Sequence, residues 1–123
     1  MLKRLANIVV LSAIIDVVLV LTFVLIGRAS HGENALGTLN TLWPFLLGLA
    51  LGWIAARAWR SPRRLIWTAV IIWVVTVIVG MLLRLASGQG IQLSFVIVAA
   101  LVLGAFLVGW RAISLLVVKV LAG

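Results

Sequence analysis

The sequence predicts an all-α polytopic membrane protein, with four transmembrane helices in an antiparallel, up-and-down bundle, N-in/C-in. Three observations carry that prediction. Apolar residues make up 66% of the 123 positions and charged residues only 10%, against roughly 45–50% and 25% in a soluble domain, so the solvent is the lipid bilayer. The apolar residues fall into four runs divided by short polar stretches, and a run of about 20 residues is what crosses the hydrocarbon core. Finally, Lys3, Arg4, Arg57, Arg60, Arg63, Arg64, Arg111 and Lys119 fall on one side of such a bundle, with Arg28 and Arg84 on the other. A Lys/Arg excess marks the cytoplasmic side, so the expected location is the plasma membrane with both termini cytoplasmic.

The elements follow in order, as one four-helix domain over residues 1–123. The first span covers 5–26, preceded by Lys3 and Arg4; it is longer than the roughly 7–15 residues of a signal-peptide core and lacks a small-x-small cleavage site. GRASHGENALGTLNT then reads as a water-exposed loop. The second span covers 42–58, with Asn40 or Thr41 as its cap and Pro44 in the first turn, where a missing N–H costs little. Ser61 and Pro62, in a tight basic turn, read as an N-cap followed by proline at the first helical position of the third span, 65–83. After Arg84, LASGQG forms a second polar loop. The fourth span covers 91–110 and ends at Trp110 and Arg111, an aromatic and basic pair suited to the interface; Ala112 to Gly123 reads as a helical extension. Trp43, Trp59 and Trp67 match interfacial belts, while Trp53 and Trp73 lie deeper and pack between helices.

Composition excludes several functions. There are no cysteines and one histidine, so no metal site, disulfide or thiol nucleophile is expected. No cofactor motif appears, and GLALG, inside an apolar span, serves packing and not phosphate binding. The net charge of +8 is accounted for by basic residues at helix ends, so no nucleic-acid partner is expected. No catalytic residues are assigned.

Asp16 is the anomaly, a carboxylate near the middle of the first span, where insertion costs about 2.5–3.5 kcal/mol. Counting from the cytoplasmic ends places it level with Gly48, Thr76 and Ala99, and the nearest basic residue by the same count is Arg84, about 12 Å away along the axis. Without a close cation, desolvation favours the neutral acid. Two readings stand: a proton or cation relay, and a neutral acid hydrogen-bonded across the helices to Ser12 or Thr76.

On the outer face, Arg28, Ser30, His31 and Glu33 of one loop are expected near Arg84, Ser87 and Gln89 of the other. Two guanidinium forks and glycine N–H groups suit a small polar solute or anion. An ordinary interfacial loop, with Glu33 paired to an arginine, is the preferred alternative. Gly48, Gly52, Gly104 and Gly109 fall at spacings that let helix backbones approach closely, within the bundle or in a homodimer. RASHG and RLASGQG echo each other weakly, as the two halves of a parallel repeat would.

GRASHGE, WPFLLGLALGW, GMLLRLASGQG and FVIVAALVLGAFLVGWR resemble the small four-helix membrane proteins, common in actinobacteria, of the Domain of Unknown Function 3054 family. The resemblance covers nearly the whole chain, with the outer-loop motifs its more specific part. It implies four spans in an actinobacterial-type plasma membrane and supplies no activity. Three functions are weighed on the residues themselves. The first is solute or ion translocation using Asp16 as a protonatable intramembrane carboxylate. The second is a non-catalytic accessory or assembly subunit of a larger membrane complex, with Asp16 paired to a partner's cation. The third, ranked last, is an enzyme using His31 and Glu33 on a lipid head group.

Overall fold

The computed structural model describes residues 2–29, 35–60, 65–89 and 93–122, with side chains over 6–27, 40–60, 66–89 and 93–122. Those residues form an all-helical bundle: α1 (Leu2–Ala29), α2 (Ala35–Ala56), a π-helical turn (Leu65–Ala69) running into α3 (Val70–Ala86), and α4 (Leu93–Ala122). Three helices contain stretches long and apolar enough to cross a membrane: Ala6–Gly27, Ile66–Ala86 and Leu93–Ala122. The apolar part of α2, Asn40–Ala56, is shorter and sits at the lower limit, about 17 residues, for a span.

Each helix buries one stripe at three- and four-residue spacing and turns its remaining apolar side chains outward. The stripes are Ser12, Asp16, Val20, Phe23 and Val24 on α1; Phe45, Gly48, Leu49 and Gly52 on α2; Ile72, Thr76 and Gly80 on α3; and Ala99, Leu103, Leu107 and Arg111 on α4. Side chains such as Leu11, Ile54, Ile78, Leu101 and Leu121 are exposed on the outer faces, as expected where the surroundings are lipid.

In hydrocarbon, helix association rests on close packing, and α2 and α3 show it most strongly. A Cβ on Gly48 would lie 2.9 Å from the Thr76 carbonyl oxygen, one on Gly52 3.1 Å from Ile72 Cα, and one on Gly80 2.6 Å from the Phe45 ring. Between α3 and α4, the Trp73 indole lies against Gly104, where a Cβ would be 2.9 Å from the ring, and Nε1 donates to the Ala100 carbonyl at 2.8 Å. Gly109 differs from the packing role expected of it, since nothing lies within 4 Å of its would-be Cβ. The stripe on α4 runs through Leu103, Leu107 and Arg111, and Gly109 falls off it.

Several boundaries differ from the sequence reading. Helix α2 starts at Ala35, so neither Asn40 nor Thr41 caps it and Pro44 lies inside it; the stretch read as loop contains Ala35, Leu36 and Leu39, which favour helix. The third span begins as a π-helical turn, in which Trp67 Nε1 donates to the Ala56 carbonyl at 2.8 Å and satisfies an acceptor that the end of α2 leaves open. The final residues continue α4 without a break to Ala122. Ser61 and Pro62, and the side chains of Lys3 and Arg4, lie outside the described residues.

Helices α2 and α3 end in the same motif with different residues at its left-handed position. After α3, Gly88 has φ 79°, its N–H donates to Leu85 at 3.2 Å, and that of Gln89 donates to Arg84 at 2.9 Å. After α2, Arg57 has φ 51°, donating to Ile54 at 3.2 Å, while Ala58 donates to Trp53 at 3.0 Å. Both are Schellman caps, in which a non-glycine residue costs about 1 kcal/mol.

Arg57→Gly is therefore expected to keep or raise the thermal stability of the detergent-solubilised protein, and Arg57→Val to lower it. Gly48→Ala forces α2 and α3 apart and is expected to cost about 1–3 kcal/mol. Gly109→Ala enters open space and gains up to about 1 kcal/mol of helix propensity. Thermal denaturation of the two glycine variants side by side checks this ordering.

Candidate functional site: a carboxylate held by four donors

Asp16 occupies the middle of the apolar stretch Ala6–Gly27 on the buried face of α1. Its partner is Arg111, which the i+4 stripe on α4 carries into the core. Both side chains are fully buried. Arg111 Nη1 donates to Asp16 Oδ1 at 3.0 Å, and Nη2 donates to Oδ2 at 2.6 Å. Each oxygen then accepts one indole N–H: Trp110 Nε1 to Oδ1 at 2.8 Å and Trp53 Nε1 to Oδ2 at 2.7 Å. Arg111 Nη1 also donates to the Leu107 carbonyl at 2.9 Å, and the guanidinium carbon lies 4.7 Å from the centre of the Trp110 ring.

Guanidinium and indole N–H groups donate and never accept. A protonated Asp16 would present an O–H to a shell of donors, so this geometry fits the carboxylate, and it corrects the expectation of a neutral acid. Ser12 and Thr76 are buried but are not the partners of Asp16. The Thr76 hydroxyl has no hydrogen-bond partner, a cost of roughly 1–3 kcal/mol for a buried polar group. Arg84, the cation expected nearest, belongs to a separate cluster.

Counting from the cytoplasmic ends requires those ends to be level, and they are not: Asp16 lies 14 residues from the start of α1, about 21 Å, and Trp53, which it meets, only three residues from the end of α2, about 4.5 Å. Helix α1 therefore extends beyond the end of α2. Arg111, similarly, stands 11 residues, about 16 Å, before the end of α4, and its side chain is buried on Asp16, whereas an interfacial anchor turns outward. Trp110, expected at the interface beside it, is committed to Asp16.

Toward the other end of the bundle, Phe23, Phe45 and Phe95 from three helices form a closed trio, with ring centres 5.5 Å apart for Phe23–Phe45, 6.1 Å for Phe45–Phe95 and 6.3 Å for Phe23–Phe95. Arg84 lies over Phe95 at 4.5 Å. Its Nη1 donates to Gln89 Oε1 at 3.1 Å, Gln89 Nε2 donates to Ser87 Oγ at 3.0 Å, and Ser87 Oγ donates to the Arg84 carbonyl at 3.1 Å. The structure thus brings Arg84, Ser87 and Gln89 together. The side chains of Arg28, Ser30, His31 and Glu33, the other half of the expected outer cluster, lie outside the described residues.

Contacts along α2 and α3 order these features. Gly80 meets Phe45, Thr76 meets Gly48, and Ile72 meets Gly52, next to Trp53. Along the bundle from the aromatic trio, the unpartnered Thr76 hydroxyl comes before the Trp53 level and the ion pair. Among the described residues, no group of three or more His, Cys, Asp or Glu side chains is placed to hold a metal ion.

Removing one member of a buried ion pair leaves the other uncompensated, at a cost of about 3–5 kcal/mol. Asp16→Leu and Arg111→Met are each expected to lower stability by that order, whereas the double variant Asp16→Leu/Arg111→Met recovers most of the loss. A thermodynamic cycle over the four proteins measures the coupling. A coupling near zero would contradict the pair.

The model of a family described as "Protein of unknown function (DUF3054)" matches residues 13–114, a segment that contains Asp16, Trp53, Trp110 and Arg111. No curated protein and no solved structure matches the chain.

Proposed function

This chain belongs to the DUF3054 family, and we propose that it is a small plasma-membrane translocator whose barrier is the Asp16–Arg111 pair, with both termini cytoplasmic. The observation that carries the reading is the complete burial of that pair among four donors. A well-packed apolar pair would stabilise the bundle as well or better, so stability alone does not account for an ion pair at this depth. Ionisable groups inside a membrane mark pathways by default.

The order of groups along the bundle supports the same reading. A solute passing inward meets the Arg84 cluster, the phenylalanine trio, the Thr76 hydroxyl and then the ion pair. Thr76, buried and unpartnered, is a group that a passing polar solute would satisfy. Protonation of Asp16 weakens its hold on Arg111, because a carboxylic acid carries no charge and accepts more weakly. The pair then opens as a gate coupled to a proton. Among described residues, the other titratable side chains on or beside the packed elements are Arg57 and Arg60 after α2, Arg84 on α3 and Lys119 on α4; of the cations, Arg111 is the one bonded to Asp16.

The accessory-subunit alternative took Asp16 as the contact to another protein's cation. Arg111 of the same chain supplies that cation, so Asp16 no longer argues for it.

The test is proton and anion flux in reconstituted vesicles for wild type and for Asp16→Asn/Arg111→Gln, which removes both charges and keeps the approximate shapes. Proton-coupled flux in wild type, lost in the double variant with folding and oligomeric state unchanged, is the expected result. Equal flux in both, or none in wild type, would overturn the proposal.

A further inference from the structure

We infer that Arg111, Trp53 and Trp110 form a binding site for the carboxylate of a small monoanionic solute, and that Asp16 occupies this site as a built-in ligand. The inference rests on the translocator reading and names its substrate class. The argument is from the donor set. The two outer nitrogens of Arg111 form a planar fork that matches two coplanar oxygens, and each of those oxygens receives one further N–H, from Trp110 on one side and Trp53 on the other. Two donors per oxygen on two oxygens is the pattern of a carboxylate. A tetrahedral phosphate would bring further oxygens and, as a dianion, more charge than one guanidinium neutralises.

The charge and the surroundings narrow the class further. One cation and two neutral indoles neutralise one negative charge, so an incoming monocarboxylate replaces Asp16 without leaving net charge in the core, provided Asp16 has taken up a proton. The exchange is electroneutral: one proton resides on Asp16, one carboxylate on Arg111, and no covalent bond is made or broken. One helical turn from the pair lie Val20 on α1 and Leu107 on α4, both buried, which favours a solute whose remainder is short and apolar. The indoles have no acceptor for a cation or for a protonated acid.

The experiment uses the full chain with Asp16→Gly, which empties the site while keeping all four donors, and sodium acetate as the probe, with sodium chloride and sodium phosphate at equal ionic strength as controls. Acetate is expected to restore, saturably, most of the fall in unfolding temperature caused by Asp16→Gly, and to change tryptophan fluorescence as Trp53 and Trp110 regain an acceptor. Wild type at neutral pH and Asp16→Gly/Arg111→Met are expected to show neither response. No acetate effect beyond chloride, or an equal effect in the double variant, would overturn the inference.

If Asp16→Gly does not fold, wild type titrated with trifluoroacetate, which stays ionised in acid, keeps the test open. A fluorescence response at acidic and not at neutral pH is expected, and no response at either overturns the site. Acetate rescue in a protein that shows no flux would uphold the site and reject translocation. Flux without carboxylate binding would do the reverse.

Discussion

A single buried carboxylate constrains this bundle more than any other group. In lipid there is little hydrophobic force between helices, and close packing and polar contacts do the work that burial does in water. The α2–α3 pair has close packing, through Gly48, Gly52 and Gly80. The seam between α1 and α4 is more sparsely packed; it is crossed by the Phe23–Phe95 ring contact and by the hydrogen bonds of Asp16 with Arg111 and Trp110. Trp53 ties the same carboxylate to α2. One charge thus joins the first helix to the second and the last, and a change in its state is felt by three of the four.

The arrangement is costly to hold and costly to break. Taking two ions out of water is offset only when geometry is good and the remaining hydrogen-bonding capacity is filled; here both carboxylate oxygens are doubly satisfied and Arg111 also reaches a main-chain carbonyl. Breaking it strands a cation in the core. On the proposed reading, this all-or-none character is what makes the pair a gate. The aromatic trio of Phe23, Phe45 and Phe95 fills the other half of the bundle by ring packing, and Thr76 lies in the stretch between the trio and the ion pair.

Much of the fold is legible because hydropathy reports directly on spans and connections. Legibility failed where the solvent stopped discriminating. Helices surrounded by lipid are apolar on every side, so the buried face of α4 carries no hydropathy signal, and Arg111 was assigned to the interface by its neighbour Trp110. The row Ala99, Leu103, Leu107 and Arg111 does not stand out from neighbouring four-residue rows of α4 such as Val98, Val102, Phe106 and Trp110. Asp16 was found because it is the one acidic residue in an apolar run, yet its partner was missed because residue counting ignores the overhang of α1 and α4. Trp53 and Trp73 were placed correctly between helices, since their depth does not suit an interfacial belt. Gly109 shows the opposite case: spacing alone marks it for packing, and its position off the buried stripe leaves it without a neighbour inside the bundle among the described residues.

The most direct test of this account is the infrared spectrum of the carboxyl group of Asp16 in lipid bilayers at neutral pH, isolated as the difference between isotope-labelled wild type and Asp16→Asn. A carboxylate band that is lost in Asp16→Asn and shifts in Arg111→Met is the predicted result. A protonated carboxyl band at Asp16 in the wild-type protein would contradict the ion pair and, with it, the gate and the binding site built on it.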